Sequence, residues 1–309
     1  MQHYRTLEGL QVSGAWVTVG TFDGIHRGHR ALLTHMAESA HTAGRPAAVI
    51  TFFPHPAVVL RGLEIPYYLT TPEERAELIG QTGIDLVVTL EFNHALAALS
   101  AREFMQRLAD HLGLNQLWAG FNFALGRNRE GNLDSLRELG QELGYTVHVV
   151  EPVMLDGQPV SSSQVRALLA EGQVAAAAGL LGRLYSVEGP VIHGDARGRT
   201  IGFPTANIQV WPEKVLPANG VYACWALLGG RRLPAVTNIG VRPTFGTLPP
   251  LPRVEAFLID FDGDLYDQPL GLQFVERLRP EQRFPSVEAL VNQIQADVRT
   301  AAEVLAHES

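Results

Sequence analysis

The chain has 309 residues, 46% of them hydrophobic and 18% charged, with a formal net charge of −8. Its length is about twice a typical domain of ~150 residues, so two domains are expected; the acidic balance argues against a nucleic-acid surface, and no apolar run reaches the ~18 residues that a membrane span needs. The opening MQHYRTLEGL lacks a basic segment followed by an apolar stretch, so no signal peptide is read there and a cytoplasmic protein is expected.

From position 16 onward, short β-rich runs alternate with helical patterns. Strands are predicted over 16–19, 47–52, 86–90, 116–119 and 146–150, and helices over 30–42, 72–81, 101–112 and 133–143. That alternation predicts a parallel sheet with helices on both faces, whose ligands bind at the carboxyl ends of the strands.

Gly20, Thr21, Phe22, Asp23, Gly24, Ile25, His26, Arg27, Gly28 and His29 lead from the first strand into the first helix. The glycines let the backbone turn sharply and approach an anion. The helix start offers unpaired N–H groups and a positive dipole end, and His26 and His29 add donors. The segment therefore reads as a triphosphate cradle that steadies charge on an α-phosphate and its leaving group. A metal site is the rival reading, but no third carboxylate or cysteine ligand accompanies the histidines, and structural zinc takes four ligands.

Ser161, Ser162 and Ser163 stand at another helix start, with Arg166 one turn on. N-terminal donors and a guanidinium fork suit a β- or γ-phosphate; a capped helix with a solvated arginine is the plain alternative. Near 180 the texture changes. After an alanine-rich connector at 175–178, strand-like runs cover 184–192, 221–228, 231–239 and 254–261, punctuated by Gly229-Gly230, Pro243, Pro249-Pro250 and Asp262-Gly263. Several strands without intervening helices predict an antiparallel barrel or sandwich. A helix over 286–305, with Ser286 as N-cap, closes the chain. The boundary lies at 181–184, giving domains 1–182 and 183–309. The lone cysteine, Cys224, cannot form an internal disulfide and reads as a small core residue.

Two segments of the second half resist familiar motifs. Gly194-Asp195-Ala196-Arg197-Gly198-Arg199-Thr200-Ile201-Gly202-Phe203-Pro204-Thr205-Ala206-Asn207 is glycine-rich and basic, yet its glycine spacing, its arginine in place of lysine and the lack of a following helix pattern exclude a P-loop. Asp260-Phe261-Asp262-Gly263-Asp264 is no EF-hand, because Leu265 and Gly271 stand where glycine and glutamate are required. A solvated turn is expected there.

Together these blocks resemble the bacterial bifunctional riboflavin kinase/FAD synthetase (FMN adenylyltransferase) family, from about Val17 to Ile294. Gly20 to His29 is similar to its nucleotidyltransferase signature. Thr51-Phe52-Phe53-Pro54-His55-Pro56, Gly120-Phe121-Asn122-Phe123-Ala124-Leu125-Gly126 and Ser161 to Arg166 match three further blocks around ATP and the flavin phosphate. In the second half, Gly198 to Asn207 resembles the kinase's GR-x-x-GFPTAN segment, and Thr237-Asn238-Ile239-Gly240-Val241-Arg242-Pro243-Thr244-Phe245 its TNIG-x-RPTF block. Departures are Phe53 and Phe121 where acidic residues are usual, Leu125 for phenylalanine and Ser163 for threonine; all but the last surround the adenylyltransferase pocket.

The resemblance implies an α/β plus β fold: a Rossmann-like nucleotidyltransferase parallel-sheet domain, then an antiparallel β-barrel with a terminal helix. It implies phosphorylation of riboflavin to FMN by ATP, then adenylylation of FMN by a second ATP to FAD and pyrophosphate. Glu255 takes the general-base position of the kinase, with Thr205 and Asn207 on Mg²⁺. Their Thr-x-Asn spacing on an extended strand puts both oxygens on one side, and hard oxygens suit that ion. Gly194, Gly198, Arg199, Gly202, Phe203, Pro204, Asn238, Arg242 and Arg279 fall at its ATP and flavin contacts. In the adenylyltransferase, His26, His29, Ser162 and Arg166 take catalytic positions, Gly20, Thr21, Phe22, Asp23, Gly24, Gly28, Ser161 and Ser163 bind ATP, and Phe53, His55, Pro56 and Asn122 bind flavin. The partners implied are riboflavin, FMN and ATP, with no nucleic acid and no membrane; a homo-oligomer stays open. Two other classes remain open too: a nucleotidyltransferase for another small substrate, and a flavin-binding regulatory protein.

Overall fold

The computed structural model describes residues 1–63, 67–155, 157–194, 197–241 and 252–308. The chain divides by its contacts into Met1–Ser162 and Ser163–Ser309. The first unit holds β1 (Gln2–Tyr4), β2 (Trp16–Val19), α1 (Arg27–Thr42), β3 (Ala47–Phe53), α2 (Pro56–Arg61), α3 (Pro72–Gly80), β4 (Leu86–Glu91), α4 (His94–Ala97), α5 (Ala101–Leu112), β5 (Gln116–Gly120), α6 (Leu133–Leu143), β6 (Thr146–Val150) and the small hairpin β7 (Met154–Leu155) and β8 (Gln158–Pro159).

Strands β1 to β6 form one parallel sheet in the order β1-β4-β3-β2-β5-β6. The order reverses between β2 and β5, the crevice where open α/β sheets bind ligands. Strand β3 is apolar at every position but Thr51, because both its faces are covered, as parallel strands require. Ala48 and Ile50 join Met105, Leu108 and Leu136 on one face, while Ala47 and Val49 join Leu33, Met36 and Ile79 on the other. Each of the buried valine, leucine, isoleucine and methionine side chains there contributes roughly 1.5–3 kcal/mol of burial. Helix α3 starts on a complete capping box, Thr71 with Glu74, and carries Pro72 in its first turn.

Helix α1 begins three residues before the predicted start at 30. The cause is His26, whose Nδ1 accepts the His29 backbone N–H at 3.3 Å and so serves as N-cap. Ring nitrogens are outside the usual capping set of serine, threonine, aspartate and asparagine.

Helix α7 (Ser162–Ala170) starts at the junction, followed by α8 (Val174–Leu181), β9 (Tyr185–Ile192), the short turn α9 (Arg197–Thr200), β10 (Ala206–Ile208), β11 (Gly220–Leu228), β12 (Arg231–Gly240), β13 (Arg253–Leu258), β14 (Pro269–Arg279) and α10 (Val287–His307). The contact division precedes the expected boundary at 182/183 because α8 packs against β9 and β14. The six strands β10-β13-β12-β11-β14-β9 close into an antiparallel barrel, which decides between barrel and sandwich. Strand β14 escapes the sequence pattern: register shifts opposite Val221/Tyr222 and Ala223/Cys224 interrupt its pairing with β11, and bulges of this kind break the period-two alternation.

Along β11 the faces alternate. Val221 and Ala223 lie under Ala301 and Leu305 of α10, while Tyr222, Cys224 and Ala226 point the other way, fully buried. Burial pushes the Cys224 thiol up to about 12, so it is an inert core group.

Candidate active sites

In the first unit, the turn after β2 is held by long-range bonds. Asp23 is fully buried, and its carboxylate accepts the Leu69 N–H (3.0 Å), the Thr70 N–H (3.1 Å) and the Thr70 hydroxyl (3.0 Å). The Gly24 N–H donates to Thr70 Oγ1 at 3.2 Å, and a methyl on Gly24 would come within 2.7 Å of Leu69 Cδ1. Phe22 is buried at φ +47° with its ring 5.1 Å from that of His29. The side chains of Asp23 and Phe22 thus build the turn, where the sequence suggested ATP contacts. Asp23→Ala leaves the Leu69 and Thr70 N–H groups stranded and is expected to lower stability on the order of 3 kcal/mol, seen as a lower urea midpoint at unchanged slope.

His26 and His29 stack with ring centroids 3.6 Å apart and planes 19° from parallel. Because His26 Nδ1 accepts a backbone N–H, its own proton sits on Nε2. His29 Nδ1 is buried with no hydrogen-bond partner among the described residues. Its pKa is held well below the ordinary histidine value, by burial first, then by His26 and by Arg75. A methyl on Gly28 would lie 3.2 Å from the His26 ring, so that position has no room for a bulky side chain. Ser162, the first residue of α7, donates its hydroxyl to the Asp23 carbonyl at 2.7 Å; Ser161 precedes it, and Ser163 and Arg166 follow on the same helix.

A cleft of about 690 Å³ opens at the carboxyl ends of β2, β3 and β5, lined by Gly20, Thr21, His55, Pro56 and Asn122 among others. The stacked histidines are not among its lining residues. His55 caps α2, its Nδ1 accepting the Ala57 N–H at 3.0 Å, and its ring meets Tyr67 edge-on. Phe53 ends β3 with its ring 5.5 Å from Tyr68. Apolar Phe52, Phe92, Leu96, Phe104 and Leu125 form the cleft's floor, and Arg61, Arg127 and Arg129 its charged part. Those arginines were missed by sequence reading, as was Arg75. Arg75 is fully buried and donates through Nη1 to the carbonyls of Thr21 and Phe52, both at 2.9 Å. A lone arginine on an amphipathic helix gives no sign of such a role.

In the second unit, Asn207 of β10 pairs with Glu255 of β13, and Glu255 pairs with Asn238 of β12. The three side chains lie in one row on the same face of three adjacent strands, with opposed Cβ atoms about 4.5–5.5 Å apart. Gly194 faces this row: a methyl there would lie 2.2 Å from Asn207 Nδ2. The Gly198 carbonyl accepts the Phe203 N–H at 2.8 Å, Gly202 takes φ +88°, and Phe203 packs edge-on against Phe257. Pro204 and Thr205 line a cavity of about 700 Å³ together with Asp262, Gly263, Asp264 and Tyr266. Asp260, Asp262, Gly263 and Asp264 are exposed, as expected of a solvated turn, and the last three also border this cavity. Among the described residues no cluster of three His, Cys, Asp or Glu could cage a metal. The Thr205 hydroxyl and Asn207 amide fit Mg²⁺ in its other habit, a few protein oxygens completed by phosphates, and Gly194 keeps the space beside Asn207 clear.

Arg279 directs its guanidinium at Asp297 of α10 through Nε (3.0 Å) and Nη2 (2.8 Å), and at the Pro280 carbonyl through Nη1 (3.2 Å). Arg242 lies outside the described residues, as does the side chain of Arg199.

Comparison with known proteins gives the following. A family model described as FAD synthetase matches residues 10–164, and one described as riboflavin kinase matches residues 181–305. The chain is 41% identical to the bifunctional riboflavin kinase/FMN adenylyltransferase of Pseudomonas fluorescens, covering 99% of this chain and 98% of that one. It is 38% identical to the protein of the same name in Escherichia coli K12, covering 94% and 92%. A crystal structure titled macrolide-efflux protein, from Streptococcus pneumoniae, superposes with a TM-score of 0.87 at 29% identity, covering 97% of this chain and 98% of that one.

Proposed function

Since the chain belongs to the bifunctional riboflavin kinase/FMN adenylyltransferase family, we propose a division of labour between its two sites. The enzyme phosphorylates riboflavin to FMN with ATP, then adenylylates FMN with a second ATP to give FAD and pyrophosphate. We assign the second reaction to residues 1–182 and the first to 183–309; the family matches ending at 164 and resuming at 181 support that boundary.

The observation that carries the kinase reading is the in-register row Asn207–Glu255–Asn238. Glu255 accepts the proton of the ribityl 5′-hydroxyl as that oxygen attacks the γ-phosphorus, and ADP leaves. Thr205 and Asn207 would hold Mg²⁺, which when bound neutralises charge on the ATP phosphates. The cavity lined by Pro204 and Thr205 is of a size to take the nucleotide; Gly194, Gly198 and Gly202 shape the adjoining chain, and Asn238 stands level with the base.

In the adenylyltransferase, an oxygen of the FMN phosphate attacks the α-phosphorus of ATP and pyrophosphate leaves. That nucleophile is already ionised near neutral pH, so no dedicated base is required. His26 and His29, Ser162 and Arg166 supply donors to the transition state, and the turn from Gly20 to Gly28, with the helix start at Ser161 and Ser163, receives the phosphates. The apolar cleft with Phe53, His55, Pro56 and Asn122 at its edge takes the isoalloxazine. No described helix is long and apolar enough to cross a membrane, and dependence on ATP supports work in the cytoplasm.

The test is incubation of purified protein with riboflavin and MgATP, followed by chromatography. FMN and then FAD are expected. FMN alone would remove the synthetase assignment, and unchanged riboflavin would remove both.

A further inference from the structure

Glu281 stands two residues beyond the end of β14, with its carboxylate laid over the backbone of Gly240. A methyl built on Gly240 would come within 2.1 Å of Glu281 Oε1 and 3.2 Å of Asn238 Nδ2. Glu281 is exposed and, among the described residues, has no hydrogen-bond or ion-pair partner. Its backbone is nonetheless held beside Gly240, because Arg279 is bound to Asp297 and clasps the intervening Pro280 carbonyl.

Gly240 and Asn238 share a face of β12, and Asn238 is level with Glu255. The Glu281 carboxylate therefore extends the row by one same-face step, about 7 Å along the strand. A five-carbon polyol spans that distance. The row ends on an acceptor-only group beside an amide, which is the chemistry that orients a chain of secondary hydroxyls while its terminal hydroxyl reaches a base.

We propose that Glu281 accepts a hydrogen bond from a secondary hydroxyl of the ribityl chain and thereby aims the 5′-hydroxyl at Glu255. The proposal rests on the kinase reading above. Glu281 is a positioning residue, and it makes the site selective for a polyol over a plain alkyl alcohol. A site built to hydrogen-bond a substrate hydroxyl discriminates strongly against the analogue lacking it.

The test compares riboflavin with a flavin carrying a 5-hydroxypentyl chain, which keeps the terminal hydroxyl and lacks the secondary ones. Both are assayed with the full-length wild type, Glu281→Ala, Glu281→Gln and Gly240→Ala. Glu281→Ala is expected to lower kcat/KM for riboflavin roughly 10- to 100-fold, to leave the KM for ATP in place, and to change the analogue by no more than about twofold. Gly240→Ala should do the same, since its methyl displaces the flexible end of Glu281, while Asn238 Nδ2 at 3.2 Å needs to give by only a few tenths of an ångström. Glu281→Gln, which keeps an acceptor oxygen, should fall between. Flavin affinity, read by fluorescence quenching without turnover, should follow the same order. Equal losses on the two flavins, or an unchanged riboflavin rate, overturn the proposal and leave the kinase reading standing. A wild type that phosphorylates neither flavin overturns both.

Discussion

Glu255→Ala is expected to lower FMN formation from riboflavin by about a thousandfold, while FMN supplied directly should still be converted to FAD. The first loss follows from the chemistry of the attacking group. A ribityl hydroxyl is a poor nucleophile until its proton has somewhere to go, and in the row Asn207–Glu255–Asn238 only the middle residue is a base; the flanking amides can orient but cannot accept a proton at neutral pH. Glu255→Gln, which preserves shape and hydrogen bonding, should lose nearly as much as the alanine variant, and that equality separates proton acceptance from positioning. Survival of the second reaction follows from its nucleophile, an ionised phosphate oxygen. Chromatography of the two half-reactions decides the matter. Loss of both activities in a folded variant would contradict separate sites.

His29→Ala should do the converse, lowering FMN-to-FAD conversion by about 10²- to 10³-fold and sparing FMN formation. Burial, the stacked His26 and Arg75 all oppose protonation of His29, so in the ligand-free protein the ring is neutral at pH 7. In the proposed site a bound triphosphate lies against this ring and raises its pKa, so ATP binding is expected to take up a proton, and the KM for ATP in the FMN-to-FAD assay should fall as pH is lowered from 8 toward 7. In His29→Ala that trend should flatten. An unchanged FAD yield would remove His29 from the mechanism.

The parallel sheet was legible because each strand is buried on both faces and so announces itself as a short apolar run, as in Ala47 to Phe53. The barrel was legible in kind but not in closure, since the β9–β10 pairing that completes it joins only Val191 and Ile192 to Ile208 and Asn207. Glu255 and Asn207 could be singled out by resemblance, but their adjacency depends on cross-strand register between segments far apart in the chain. Asp23 shows the same limit: the resemblance places it near ATP, but the partners that its carboxylate takes at Leu69 and Thr70 are invisible locally. Arg75, held between two strand-end carbonyls, offers no local signal at all.

Cys224 is the chain's sole cysteine, and its thiol is sealed within the barrel and strongly disfavoured as thiolate. An alkylating reagent consequently finds nothing to attack in a closed molecule, and every modification event records one opening of the barrel. The labelling rate becomes a built-in clock for that half of the enzyme alone, because the parallel-sheet unit carries no sulfhydryl. Ligands that bind only the closed barrel should slow the clock in proportion to their occupancy, so substrate order at the kinase can be timed without following turnover.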